Sequence, residues 1–287
     1  MKIGFIGLGI MGGSMAANLG KAGHAVQSFD LNGKGNCRST REASDGAEVV
    51  FTSLPGPAEV ESVAKDISAP VWFDLSTNSP KRIRALHRSL KGTQLLDAPV
   101  SGGPTGARSG KLAIWVGGDR ATYDKYLPVL KAIGDQPYYV GAIGAGTVAK
   151  LVHNCATFTV QAALAEVFTL GVKAGVDSAS LFRAVRQGAS GRRRTFDRLP
   201  DHFLIGAYDP PEFTTRLAHK DVSLAVELAH EVGVPMEIGE IALRELGEAM
   251  QRGWSERDCR VPMTLQEERA GVSVKVPDGA LRDALKD

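Results

Sequence analysis

The sequence predicts two domains of different class: an α/β domain with a largely parallel sheet over residues 1–146, followed by an all-α domain over residues 147–287. Three observations carry that division. Short apolar runs alternate with longer mixed segments from Lys2 to about Val140, a glycine-rich turn follows the first run, and strand-like runs stop after Gly146. A chain of 287 residues is long enough for two domains that each bury a core.

The strands are expected at Lys2–Ile6, Ala25–Phe29, Glu48–Leu54, Val71–Leu75, Gln94–Asp97, Ala113–Val116 and Tyr138–Val140. Met11–Ala22 has helical spacing and stops before Gly23, and Ala121–Ile133 repeats that pattern before Gly134. Each glycine is expected to take the left-handed conformation that ends a helix, and both helices to cover the sheet. Beyond Gly146, Thr147–Ala174 reads as one helix, with apolar residues at Val148, Leu151, Val152, Cys155, Phe158 and Ala162. It would span roughly 40 Å. Helical patterns follow at Ser178–Gln187, Thr214–Val232 and Glu237–Arg252, separated by punctuation such as Gly233-Val234-Pro235.

Composition narrows the class. The formal net charge is +2, and no basic run is longer than Arg192-Arg193-Arg194, so neither nucleic acid nor a membrane surface is expected as a partner. Met1-Lys2-Ile3-Gly4-Phe5-Ile6 runs straight into a strand pattern, which leaves no room for a secretory leader. No apolar stretch reaches the roughly 20 residues of a membrane-spanning helix. A soluble, cytoplasmic protein is expected. Cys37, Cys155 and Cys259 are far apart and lack metal-ligand spacing, so they read as ordinary thiols and no metal is expected.

Gly7-Leu8-Gly9-Ile10-Met11-Gly12 closes the first strand and opens the first helix, the context in which this pattern marks a Rossmann-type nucleotide-binding domain. The first glycine permits a tight turn, the second lets backbone approach a pyrophosphate, and the third packs helix on strand. The helix N-terminus then offers N–H groups to the phosphates. Asp30 ends the second strand, where a carboxylate can accept hydrogen bonds from the adenosine ribose hydroxyls and repel the extra phosphate of NADP. NAD rather than NADP is therefore expected. A turn aspartate before Asn32-Gly33 is the competing role. Leu54-Pro55 and Ser76-Thr77-Asn78-Ser79-Pro80 also occupy strand ends, with Thr77 as a cofactor contact or a helix N-cap.

With Met15-Ala16-Ala17-Asn18-Leu19 appended to the glycine motif, the chain resembles the β-hydroxyacid dehydrogenase family, which includes 3-hydroxyisobutyrate dehydrogenase and tartronate semialdehyde reductase. Asp97-Ala98-Pro99-Val100-Ser101-Gly102-Gly103 is similar to its substrate-binding signature, and Gly144-Ala145-Gly146-Thr147-Val148-Ala149-Lys150-Leu151-Val152-His153-Asn154 to its catalytic one. Lys220-Asp221 is similar to its later cofactor-side signature.

Lys150 and Asn154 are four residues apart and share one helix face, which can look into an interdomain cleft. A dehydrogenase needs one group to exchange a proton with the substrate oxygen while hydride moves, and other donors to fix that oxygen. The resemblance assigns proton exchange to Lys150 and substrate binding to Asn154. Taken alone, each would sooner be a solvated helix residue. His153 lies three positions from Lys150, so it could flank the site or leave it. Ser101-Gly102-Gly103 offers a hydroxyl and bare backbone N–H groups for a substrate carboxylate, the alternative being a tight turn. The resemblance places Lys220 near the cofactor and Lys150; a helix pair with Asp221 is the other reading. It also places Arg192–Arg194 near the substrate end, against a solvated basic loop.

The segments 30–49 and 64–71 are shorter than in the family pattern, which implies an open or remodelled adenine side and weak cofactor affinity. The expected activity is hydride transfer between NAD and a small anionic β-hydroxy acid or its semialdehyde, by a homo-oligomer, dimer or tetramer. The alternatives are a semialdehyde reductase working with NADPH and a non-catalytic dinucleotide-binding regulator, the latter opposed by Lys150. A 6-phosphogluconate dehydrogenase would need a larger helical domain, and an imine reductase would usually lack this lysine.

Overall fold

The computed structural model describes residues 1–193, 197, 199–271, 273, 275–277, 279 and 281. Contacts divide the chain into two compact units, Met1–Thr157 and Phe158–Asp287.

The first unit runs β1 (Lys2–Ile6), α1 (Gly12–Lys21), β2 (Ala25–Phe29), α2 (Thr40–Ser44), β3 (Val49–Thr52), α3 (Pro57–Val63), β4 (Val71–Asp74), α4 (Pro80–Ser89), β5 (Gln94–Asp97), β6 (Val100–Ser101), α5 (Gly103–Ser109), β7 (Ala113–Gly117), α6 (Arg120–Leu130), β8 (Gln136–Gly141) and the start of α7 (Ala145–Lys173). Its sheet has the order β2-β1-β3-β4-β5-β7-β6, with β8 also paired to β7. All pairs are parallel except those of β7 with β5 and β6. Strand residues alternate between two cores. Ile3, Phe5, Val49, Phe51 and Phe73 pack with Met15 and Leu19 of α1 and Leu130 of α6. Ile6, Val50 and Trp72 pack with Ala43, Val60 and Ile83 of α2, α3 and α4. The sheet is thus covered on both faces, as a largely parallel sheet requires.

Two details depart from the sequence reading. Gly23 has φ 86° and ends α1 as expected, but α6 stops at Leu130 and Gly134 is not left-handed. A Cβ on Gly134 would meet the Leu112 carbonyl oxygen at 2.2 Å, so this glycine permits close chain approach rather than a helix stop. The contact boundary also falls inside α7, whereas the strand pattern ends near Gly146. The reason is local: the head of α7 is bonded into the sheet through Asp97, as described below.

The second unit takes the rest of α7, then α8 (Ser178–Gln187), α9 (Thr215–Val232), α10 (Glu237–Gln251) and α11 (Thr264–Ala270), without a strand among the described residues. Leu170, Ala229, Val234 and Met236 form a small core. The Glu166 carboxylate accepts the Ile238 and Gly239 amides, satisfying donors at the start of α10. Among the described residues no helix is long and apolar enough to cross a membrane.

Candidate functional site

In the sheet order, β2 and β3 flank β1 on opposite sides, so the chain reverses direction there and leaves a crevice beyond the carboxyl ends of β1 and β3. A cleft of about 730 Å³ occupies it, lined by Gly7, Gly9, Ile10, Met11, Gly12, Asp30, Leu54 and Pro55, with Lys65 and Asp66 farther along. Gly7 has φ 92°, and a Cβ there would meet the Ser53 oxygen at 2.3 Å; on Gly12 it would meet the Gly7 oxygen at 1.9 Å. On Gly9 it would meet no atom within 4 Å. The outer glycines therefore serve the turn and its packing, while Gly9 presents bare backbone to open space. That arrangement fits a dinucleotide pyrophosphate, and no acidic residue in the first turn of α1 opposes it.

Asp30 takes the turn role weighed for it and also reaches the glycine loop. Its Oδ1 accepts the Asn32 amide at 2.8 Å, forming a turn, and its Oδ2 accepts the Leu8 amide of the glycine loop at 2.7 Å. These backbone donors, Asn32 before Leu8, hold its carboxyl below the usual range. Each carboxylate oxygen can accept more than one hydrogen bond, so capacity remains for ribose hydroxyls. The short segment after β2 folds back on itself: the Asp30 amide donates to the Lys34 oxygen at 3.0 Å and Phe29 bridges Gly35. Leu31 is left 92% exposed at the cleft.

A buried network fixes the neighbouring strand ends. Asp74 accepts from Thr52 Oγ1 at 2.9 Å, the Ser76 amide at 3.1 Å and Asn78 Nδ2 at 3.1 Å, while Ser76 Oγ accepts the Leu54 amide at 2.9 Å. Burial pushes the Asp74 carboxyl up against the pull of these donors. Thr77 is exposed beside them, and the N-cap of α4 is Ser79, which leaves Thr77 without the capping role weighed for it.

The second group of predicted residues surrounds the head of α7. Ser101 ends β6, and Gly102 and Gly103, with φ 133° and 60°, turn the chain into α5. Ser101 stands opposite Ala113 in the antiparallel pair with β7, and Trp115, two residues on, therefore shares its face. Lys150 Nζ lies 5.9 Å from the centre of the Trp115 ring, and the His153 ring lies 5.1 Å from it. His153 Nε2 is 3.2 Å from Ser101 Oγ. Asn154, one turn beyond Lys150, is half-buried. Burial lowers the Lys150 pKa, and burial, then the Lys150 charge, lowers that of His153. A half-buried ammonium over an aromatic ring and a hydroxyl paired with an imidazole are thus assembled within one unit.

Sequence reasoning did not single out Trp115 or Asp97 individually. Trp115 sits in an apolar strand and reads as core; only the strand register, which sets it on the same face as Ser101, reveals its place. Asp97 accepts the Gly144 amide at 2.6 Å, the Thr147 amide at 2.6 Å and Thr147 Oγ1 at 2.7 Å. A buried acidic residue ending a strand, followed later by Gly-rich sequence and threonine, was the available signal. Arg193 pairs with Asp201 at 2.7 Å in an exposed ion pair, and Arg192 is exposed. Arg194 and the side chain of Lys220 lie outside the described residues.

A doubly wound sheet with a glycine loop and an open cleft at its switch point defines a dinucleotide-binding protein. Residues 2–144 match the family model for the NAD-binding domain of 6-phosphogluconate dehydrogenase, and residues 144–262 the model for the NAD-binding of NADP-dependent 3-hydroxyisobutyrate dehydrogenase. The chain is 36% identical to 2-(hydroxymethyl)glutarate dehydrogenase of Eubacterium barkeri, over 96% of this chain and 97% of that protein. It is also 36% identical to 3-hydroxyisobutyrate dehydrogenase of Pseudomonas aeruginosa, over 84% and 89% respectively. The solved structure of Mycobacterium tuberculosis 3-hydroxyisobutyrate dehydrogenase with L-serine is similar at TM-score 0.62 and 31% identity, covering 92% of this chain and 98% of that one. The chain belongs to the β-hydroxyacid dehydrogenase family and is an NAD-binding oxidoreductase of that family.

Proposed function

We propose that this chain transfers a hydride between NAD and the hydroxyl-bearing carbon of a small β-hydroxy acid, with Lys150 exchanging the hydroxyl proton. The observation that carries the reading is the grouping of half-buried Lys150 with Asn154 and Ser101 at the head of α7, in the unit that also holds the glycine loop. The substrates named for the two dehydrogenases, 2-(hydroxymethyl)glutarate and 3-hydroxyisobutyrate, and the L-serine of the solved relative share one feature. Each bears a hydroxymethyl group on the carbon beside a carboxylate.

When bound, NAD supplies the hydride acceptor. The neutral amine of Lys150 would take the hydroxyl proton as that acceptor takes the hydride from the alcohol carbon and the semialdehyde forms; in reduction the ammonium would return it. Burial favours that neutral amine, because it disfavours the ammonium. Ser101 and the Gly102 and Gly103 amides hold the carboxylate, and Asn154 holds the hydroxyl or the carboxylate. Gly7, Gly9, Ile10, Met11, Gly12, Asp30, Leu54, Pro55, Thr77 and Lys220 serve the cofactor, with NAD preferred to NADP through Asp30.

In this reading residues 1–146 bind NAD, and residues 147–287 add substrate contacts and subunit contacts of a dimer or tetramer. Exposed Leu164, Val167, Phe182 and Val185 support the latter role. The setting is cytoplasmic, with Cys37 as a free thiol and neither nucleic acid nor a membrane as partner.

The test is NAD reduction with 3-hydroxyisobutyrate, 2-(hydroxymethyl)glutarate and L-serine, comparing the native chain with Lys150→Ala. Turnover of at least one acid and a kcat loss of roughly 100-fold in the variant are expected. No turnover of any acid, or near-normal turnover by Lys150→Ala, would sink the reading.

A further inference from the structure

We propose that His153 is a positioning residue for the substrate carboxylate: through Nε2–H it fills a lone pair of Ser101 Oγ, so that the serine proton points to the carboxylate. The inference rests on the reading of Ser101 as a carboxylate donor. Its geometric basis is the 3.2 Å separation of Ser101 Oγ from His153 Nε2, together with the Trp115 ring that backs the imidazole at 5.1 Å and an interplanar angle of 48°.

A serine hydroxyl has one proton and two acceptor sites, and it rotates to suit its partners. Facing an anion, only the donor orientation helps. If His153 Nε2 were bare, it would compete for that proton and turn an oxygen lone pair toward the carboxylate. If Nε2 carries the hydrogen, the competing acceptor is gone and the hydroxyl has one productive direction. Packing supports the assignment. Ser101 and Trp115 lie on one face of the β6–β7 pair, and His153 follows Lys150 by three residues on α7, so the ring is braced between strand and helix. Burial and the neighbouring Lys150 also keep the imidazole neutral into a lower pH range than a free histidine, which avoids a second cation beside Lys150.

The experiment is a double-mutant cycle in the full-length chain, read as KM and kcat for whichever of the three acids is turned over fastest. His153→Leu should raise the acid KM roughly ten-fold with kcat changed less than about three-fold, as expected for a weakened hydrogen bond to a charged group. His153→Gln, which can also present an N–H, should recover most of the loss. In a Ser101→Ala background, which itself raises KM, His153→Leu should add nothing further. Additive effects would overturn the role of His153 while leaving that of Ser101 intact. An unchanged KM in Ser101→Ala would instead overturn the carboxylate reading on which the proposal rests. A measurement independent of turnover is the ¹H–¹⁵N correlation spectrum of the His153 ring: a proton on Nε2, with a shift altered by Ser101→Ala, is expected. A neutral ring protonated only on Nδ1 would overturn the proposal.

Discussion

Asp97 and Thr147 join the end of β5 to the head of α7 by two hydrogen bonds to one oxygen, from the Thr147 amide at 2.6 Å and its hydroxyl at 2.7 Å. The other carboxylate oxygen takes the Gly144 amide at 2.6 Å. One buried side chain thereby ties the strand that leads to Ser101 to the helix that carries Lys150, His153 and Asn154. Its negative charge also faces the positive end of the helix dipole.

Removing that carboxylate should be costly, because the Gly144 and Thr147 donors would be left buried without an acceptor. Asp97→Ala is expected to lower the unfolding free energy by about 2–3 kcal/mol. Trp72 and Trp115 lie in the first unit and Trp254 in the second, so denaturant unfolding followed by tryptophan fluorescence in a Trp254→Phe background reports on the first unit. Asp97→Asn should also destabilise, since an amide turns one acceptor into a donor facing other donors. A loss below about 0.5 kcal/mol, the size of an ordinary surface change, would refute the account.

The glycine loop separates ligand from fold. Gly9→Ala has room in the protein and should melt within a degree or two of the native chain, yet raise the KM for NAD roughly ten-fold or more by placing a methyl where the pyrophosphate approaches. Gly12→Ala would drive a Cβ into the Gly7 oxygen, so it should unfold more readily whatever the NAD concentration. Equal effects of both substitutions on melting temperature would remove the distinction.

How far the sequence displays this arrangement depends on the range of the physics involved. β1, β2, β5 and α8 fall within the residues expected because alternation, helical spacing and flanking glycines are local signals. The helices α3, α4 and α5 were not read, although Pro57, Pro80 and Pro104 stand at their first turns and Ser79 is a cap. Each is only 7 to 10 residues long, too short to display a clear apolar period. At the site, the glycine loop, Lys150 and Asn154 are legible from motif and spacing. The Ser101–His153 contact, 52 positions apart, and the Trp115 backing depend on strand register and on which way α7 faces. At the head of α7 the apolar residues do not mark the packed face: Val148, Leu151 and Val152 are exposed, while Gly146 and Thr147 are buried; the side chains of Cys155, Phe158 and Ala162 lie outside the described residues.

Asp30 has two duties, and its replacement should show both. The native chain should have a higher kcat/KM with NAD than with NADP, most clearly at low ionic strength, where a carboxylate repels a phosphate over a longer distance. Asp30→Ala loses the ribose acceptor and the bond to the Leu8 amide, so NAD efficiency should fall roughly ten-fold and the preference for NAD should shrink. A native preference for NADP would refute the assignment.

Lys150 gives the pH dependence its sign. Hydroxy acid oxidation needs the neutral amine to receive the hydroxyl proton, whereas semialdehyde reduction needs the ammonium to give it back. Burial lowers the Lys150 pKa, so kcat/KM for oxidation should rise with pH and level off through an inflection below that of a free lysine. Reduction should fall as pH rises through the same inflection. His153 is itself held below the ordinary histidine range, by burial first and then by the Lys150 charge. Lys150→Ala should abolish the inflection in both directions. Lys150→Arg should restore little activity, because a guanidinium stays protonated across the range and cannot act as the base. An inflection at or above the free-lysine value, or profiles that move in the same sense in both directions, would exclude Lys150 as the proton-exchanging group.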